Sequence, residues 1–417
     1  MSATSFQRRE TGLSLVEMMV ALAVSAVVMA GAVTLLVNQQ RAFQSGAADR
    51  GMQETARAAL QEITGNLRMA GFGVDPPLAF DFGFTDNIPM LQAPRISGTN
   101  VRINPGYGSC ANPVSCRDSA TGPDEIVFYS RDPAFGHAIQ AVGGTSSISM
   151  AGPLNVPLYA GQVLQAMCYG GSMLWAYVTV GAYVAPSQAP TIAVPLANGS
   201  GLDFPFQNQT LSDGCFGAGN AWVFKVDRYR YYVDAFDQNG NSLGWGYQSP
   251  NRPYLMLDQG LKDQNGVAIR SVIAGDVEDL QFAYEYPAAP ITLVGAPPGT
   301  AVGTVIPAGA GGIDLAPAAG APGYGTPATD PSRLDQHPAN IRAVVVSVVV
   351  RTANADITVG DQTIPAAGNR PDVAGLRGYR RMLFQTSAAL RNMDARAPYY
   401  PTYSASNGAD QLNVGGG

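Results

Sequence analysis

The sequence predicts an α+β protein, one long N-terminal helix followed by a β-rich head. Three observations predict it. An apolar stretch from Leu13 to Val37 runs into an amphipathic one that ends near Gly71. Beyond it, short β-branched and aromatic runs alternate with Gly, Pro, Asn and Asp, the punctuation of strands and turns. Gly 48 and Pro 30 among 417 residues are also too many chain breakers for an all-helical protein.

Composition narrows the function. With 46% hydrophobic and 13% charged residues, against about 25% charge in an ordinary soluble domain, the chain can bury a sizeable core and is not disordered over most of its length. A net charge of −6, from 25 Lys+Arg and 31 Asp+Glu, supplies no positive sheath to displace counterions from a phosphate backbone. No nucleic-acid partner is expected. Two histidines and two lysines, Lys225 and Lys262, leave little for acid–base chemistry near neutral pH. The expectation is a protein that is not an enzyme and holds no cofactor or metal.

The helix is justified from its N-terminal end. Leu13–Val37 is twenty-five residues carrying one charge, Glu17. About 20 apolar residues cross ~30 Å of hydrocarbon, whereas the apolar core of a cleaved secretory signal is about 7–15 residues. Arg8-Arg9 before the span puts the N-terminus on the cytoplasmic side. A carboxylate costs about 2.5–3.5 kcal/mol near the centre of such a helix and less near its end. Glu17 therefore either reaches the headgroups or has a partner. After Val37 an apolar stripe continues through Phe43, Ala47, Met52, Ala56, Leu60, Ile63 and Leu67, opposite Arg41, Asp49, Arg50, Glu54, Arg57, Glu62 and Arg68. Gly71-Phe72-Gly73 is the stop signal. Counted from Leu13 the helix has about 58 residues and is ~87 Å long, with Gly31 and Ser45-Gly46 as the places for bending.

The head reads as strands at Glu125–Ser130, Gln162–Cys168, Met173–Val184, Thr191–Pro195, Trp222–Val226, Tyr229–Phe236, Leu255–Asp258, Val277–Tyr286, Ile341–Thr352 and Arg381–Ala388. Because Arg342–Arg351 is β-branched on both faces, it belongs at the centre of a sheet. Two segments read as irregular, Asp75–Pro123 and an Ala/Gly/Pro-rich surface insertion at about 288–340. The tail after Asn392 is expected to close over the sheet through Tyr399, Tyr400 and Tyr403.

Chemistry-bearing motifs are sparse. Gly323-x-Gly325-x-x-Ala328 contains Pro327 and lacks the strand–helix context of a dinucleotide site. His137 and His337 read as solvated loop residues. Asp237-Gln238-Asn239-Gly240-Asn241 and Asp263-Gln264-Asn265-Gly266 resemble calcium loops superficially, but turn chemistry explains them better. The aromatic clusters Tyr229, Tyr231, Tyr232, Phe236 and Trp245, Tyr247, Tyr254 divide between core and a face open to a partner. Cys110, Cys116, Cys168 and Cys215 are disulfide candidates. Proximity favours Cys110–Cys116 and Cys168–Cys215 among three connectivities without establishing them.

Gly12-Leu13-Ser14-Leu15-Val16-Glu17 resembles the type IV pilin signal, with Leu13 where the family usually has Phe. Three further regions are similar to the PilW family of minor pilins: the helix exit Ala56–Gly73, the block Val272–Tyr284 and the Val-rich strand with Tyr379–Asn392. The resemblance implies a pilin-like fold, with a transmembrane-then-amphipathic helix packed on a β-rich head bearing large loop insertions. It implies a prepilin leader at 1–12, a transmembrane half-helix at 13–37, an amphipathic half at 38–72 and a head at 73–417. Gly12 would be the processing position, Leu13 the methylated first residue and Glu17 the contact to a neighbouring subunit's amine.

The implied partners are other minor pilins, the major pilin, the prepilin peptidase/methylase and a tip adhesin of the PilY type. The implied location is the inner membrane with the head in the periplasm, then the pilus at the cell surface. A J-type pseudopilin of a type II secretion system and a membrane-anchored periplasmic enzyme or carbohydrate-binding module stand as alternatives.

Overall fold

The computed structural model describes residues 14–74, 79–80, 122–144, 146–170, 172–197, 211, 216, 219–238, 240–285, 293–294, 340–356, 358–368, 370–396, 402–404 and 409–411. Most of the two expected irregular segments, together with Tyr399 and Tyr400, lies outside the described residues. The chain forms two compact units, Met1–Gln53 and Glu54–Gly417.

Helix α1 covers Leu15–Leu67 and is unbroken at Gly31 and Ser45-Gly46. In the first unit Phe43, expected on the buried stripe, is 78% exposed. In the second unit Ala56, Ala59, Ile63 and Leu67 are fully buried at spacings of three and four, one helical face. Asn66 anchors that end to the head, its Nδ2 donating to the Tyr231 hydroxyl at 2.6 Å.

The helix stops at Leu67 rather than at Gly71, because the chain turns at once to join the sheet. Met69 N–H donates to Asn66 O and Ala70 N–H to Leu67 O, both at 2.9 Å. Gly71 N–H then donates to Tyr129 O at 2.9 Å, and Arg131 N–H to Phe72 O at 2.8 Å. A short C-terminal helix, α2 (Arg391–Asp394), closes this joint. Asn392 Nδ2 donates to Arg68 O at 3.2 Å, and Arg396 donates to Gly71 O at 3.1 Å and Val74 O at 3.0 Å. Gly71 has φ +74°, and a Cβ there would collide with the Met393 side chain. Gly71→Ala should therefore destabilise the chain by more than the about 1–2 kcal/mol of the left-handed penalty alone, read as a lowered calorimetric midpoint.

The larger sheet contains β1 (Ile126–Gly143), β2 (Ser147–Ala151), β3 (Val163–Gly170), β4 (Ser172–Thr179), β5 (Thr191–Pro195), β6 (Ala221–Ala235), β7 (Pro253–Lys262) and β8 (Ala268–Gly275). Its order is β4-β3-β6-β1-β2-β5, with the β7–β8 ribbon attached to β6. One face covers a core that includes Ile139, Ile148, Leu164, Val178, Val194, Phe216 and Val223.

The second sheet runs β10-β9-β11-β14 with β9 (Val277–Glu285), β10 (Leu293–Val294), β11 (Ala343–Arg351) and β14 (Arg381–Ala389). The Val-rich strand β11 lies between β9 and β14, and all nine of its residues are buried. Two short ribbons complete the described strands, β12 (Thr363–Ile364) with β13 (Val373–Ala374), and β15 (Thr402–Ser404) with β16 (Ala409–Gln411).

Several expectations are corrected. Trp222–Val226 and Tyr229–Phe236 form one strand, β6. The charged Asp227-Arg228 step is carried inside it, and Asp227 Oδ1 lies 3.5 Å from Lys225 Nζ. Strand β1 runs far past Ser130 because a bulge at 132–135 preserves the pairing beyond Pro133. His137 lies on that strand and not in a loop, with Nδ1 2.7 Å from Ala151 O and its ring against Phe135. Strands β2 and β8 escaped notice because β2 is only five residues long and β8 is interrupted by Arg270-Ser271.

Candidate functional site

The N-terminal segment is the first candidate. Gly12 and Leu13 lie outside the described residues. From Leu15, 75% exposed, to Val37, 40% exposed, the apolar side chains of α1 find no cover among the described residues. α1 is the one helix among the described residues long and apolar enough to cross a membrane. Glu17 sits in its first turn, and sequence reasoning missed its local role. Ser14 N–H donates to Glu17 Oε2 at 2.9 Å, and Glu17 N–H donates to Ser14 Oγ at 3.2 Å. This is a reciprocal capping box that satisfies two backbone donors the helix leaves open. The signal was visible as Ser-x-x-Glu before an apolar run. The carboxylate that the resemblance assigns to a neighbour is thus also the cap of its own helix.

The second candidate lies inside the head. Strand β9 buries two adjacent carboxylates on opposite faces, both with fully buried side chains. Glu278 takes a bidentate pair from Arg381, at 2.6 and 3.0 Å. Arg351 Nη1 is 3.7 Å from the same carboxylate. Burial pulls the Arg351 guanidinium below its usual range, against the Glu278 charge. Its ring neighbours are Trp245 at 5.2 Å and Tyr379 at 4.2 Å.

On the other face, Asp279 accepts from Arg370 Nε at 2.7 Å, Tyr247 OH at 2.8 Å and its own strand's Leu280 N–H at 2.9 Å. Burial, and then the Asp279 charge, push the Tyr247 hydroxyl far above its usual range. Arg370 and Arg381 also donate to the carbonyls of Pro365, Pro371, Gln362, Leu376 and Tyr379. The two arginines thereby pin the 362–379 loop to β9. Sequence reasoning missed this network because its partners lie about a hundred residues apart. The available signal was an acidic pair inside an otherwise apolar strand, which requires cations to meet it.

The acid-rich turns behave as turns. Asp237 Oδ1 accepts Asn241 N–H at 2.8 Å, and Asp263 Oδ1 accepts Asn265 N–H and Val267 N–H, both at 2.8 Å. Gly240 and Gly266 take φ +80° and +79°. Among the described residues no cluster of three or more His, Cys, Asp or Glu could hold a metal ion. Cys168 is buried on β3 and disulfide-bonded. Cys110, Cys116 and Cys215 lie outside the described residues, so the connectivity stays an expectation.

Residues 7–33 match the prokaryotic N-terminal methylation motif. The match supports a type IV pilin-like protein, processed by a prepilin peptidase and assembled with other pilins, in a pilus or a secretion system. Together with the apolar helix it is consistent with membrane anchoring. No curated protein and no solved structure matches the chain.

Proposed function

We propose that the chain is a minor pilin of the type IV pilus, similar to PilW, that takes part in pilus assembly at the filament tip and thereby in twitching motility and adhesion. The observation that carries this reading is the methylation motif over residues 7–33, laid on a helix whose apolar surface the described residues leave open. Such a surface is stable in lipid or among like helices, the two states a prepilin passes through. Further support comes from the head. The three C-terminal blocks that resemble PilW fold next to one another as β9, β11 and β14, locked by the Glu278–Arg381 pair. A head this bulky fits the end of a helical array better than its repeating wall.

In this reading the role is structural and not enzymatic. The head stands in the periplasm before assembly and on the pilus afterwards, and the partners are other minor pilins, the major pilin and a PilY-type tip adhesin. A J-type pseudopilin of a type II secretion system shares the methylation motif, so that observation favours it equally; the β9–β11–β14 blocks favour PilW.

The test is the N-terminal peptide from membrane and sheared-filament fractions, read by mass spectrometry. A methylated Leu13 start is expected. An intact Met1 start, or a cut elsewhere, would move an anchored enzyme or binding module to the front. Deletion then separates the machines: lost pili with intact exoprotein secretion is expected, and the reverse would select the pseudopilin.

A further inference from the structure

The edge of a sheet presents a row of unpaired N–H and C=O groups, and natural proteins blunt it with bulges, charges, short strands or cover. The two sheets of the head do so at every edge but one. In the larger sheet the outer strands β4 and β5 are joined at their ends, where Val180 bridges Leu196 and Ala197 N–H donates to Thr179 O at 2.9 Å. β8 carries Arg270, and its ladder with β7 shifts register twice. In the second sheet β10 has two residues. β14, at the opposite edge of that sheet, has nine, Arg381–Ala389, paired to β11 without a shift.

The backbone of β14 faces two ways. Thr352 N–H donates to Arg380 O at 3.0 Å and Leu390 N–H to Arg342 O at 2.8 Å. Even-numbered residues therefore turn their amide groups to β11, and the odd-numbered ones, Arg381, Leu383, Gln385, Ser387 and Ala389, turn theirs away. Among the described residues no backbone group meets them. The side chains leave the edge open as well: nothing from Met382 to Ala389 is charged or proline, Leu383 is 40% exposed, and Gln385, Ser387 and Ala389 are exposed. Outward donors and acceptors that recur at every second residue, about 7 Å apart, match an extended polypeptide and no small ligand.

We propose that β14 pairs antiparallel with β14 of a second copy of this chain, about a two-fold axis at Gln385, so that the sheet of one copy continues into that of the other. The strand is its own complement in this register. Gln385 lies opposite Gln385 of the second copy, Leu383 opposite Ser387 and Arg381 opposite Ala389. Each outward-turned residue thus meets an outward-turned one, as a hydrogen-bonded antiparallel pair requires, and no two charges face each other.

The register is the one that uses all nine residues; a shift along the strand leaves outward groups unmatched at both ends. Because the contact is the same patch on both copies, it closes on itself and does not propagate into a fibre. It consumes the edge that would otherwise be open to indiscriminate pairing. The inference uses the head alone and does not depend on the pilin reading.

The full chain, extracted in mild detergent, is sized by light scattering and cross-linked through cysteines. The natural chain should have the protein mass of a dimer. Gln385→Lys, which sets two lysines opposite each other on the axis, should have that of a monomer, with its unfolding midpoint unchanged because residue 385 is exposed. On mild oxidation, with the natural chain as baseline, Gln385→Cys should give a disulfide-linked dimer. Leu383→Cys, on the same face, should not, its two copies being about 13–14 Å apart along the strands, but co-produced with Ser387→Cys it should. A monomeric natural chain overturns the proposal, and so does a dimer that survives Gln385→Lys, which α1 would then hold. Cross-linking of Gln385→Cys to a different protein gives the edge to a foreign strand and overturns the pairing of copies.

Discussion

Glu17→Ala is expected, under the proposed function in which Glu17 pairs with a neighbouring subunit's amine, to leave the head folded and the protein in the membrane and to remove it from sheared filaments by about a hundredfold or more, since taking one partner from a buried ion pair costs about 3–5 kcal/mol. Quantitative immunoblotting of the two fractions reads it. The capping box complicates the interpretation, because the same carboxylate accepts Ser14 N–H. Ser14→Ala separates the roles. It removes the hydroxyl that caps Glu17 N–H at a cost of about 0.5–2 kcal/mol and keeps the carboxylate. Under the proposed function Ser14→Ala should assemble at a level well above Glu17→Ala. Equal losses would mean that Glu17 acts through its own helix and that the neighbour's amine is not its partner.

Arg370→Met carries the second large effect. It would leave Asp279 fully buried with the Tyr247 hydroxyl, the Gln281 amide and the Leu280 N–H as donors but without the Arg370 cation. Destabilisation of about 3–5 kcal/mol is expected, measured by calorimetry of the detergent-extracted chain. Replacing both charges, Arg370→Met with Asp279→Leu, and removing the stranded hydroxyl by Tyr247→Phe, should recover much of the loss. Apolar substitutes for a whole buried pair are often close to neutral. Whatever is not recovered measures the Arg370 bonds to Pro365 O and Pro371 O, both 2.6 Å. A single variant as stable as the natural chain would show that the loop is held by packing alone.

The legible parts of this protein were those whose signal is local. Twenty-five residues with a single carboxylate announce a membrane-length helix, because lipid imposes its requirement on each residue separately. The Val-rich segment could be placed at a sheet's centre because both its faces are apolar, and β11 is buried on every residue. The Asn-Gly turns declared themselves through a backbone conformation few residues adopt. Even the capping box was written in four consecutive letters, Ser14 to Glu17.

What only the tertiary structure decided are the pairings between distant segments. The five-residue β2 and the Arg270-Ser271-interrupted β8 exist because a neighbour offers a ladder, and β6 passes through Asp227-Arg228 with Asp227 paired to Lys225. The carboxylates of Glu278 and Asp279 became buried anchors only when Arg381 at the start of β14 and Arg370 in the loop before it, about ninety to a hundred residues later, reached them. The end of α1 at Leu67 was likewise set by bonds to Tyr129 and by the C-terminal turn at Asn392 and Arg396. The physical reason is common to all of them: the cost of burying a charge or ending a helix is local and can be read from the sequence, whereas the group that offsets that cost is chosen by the fold.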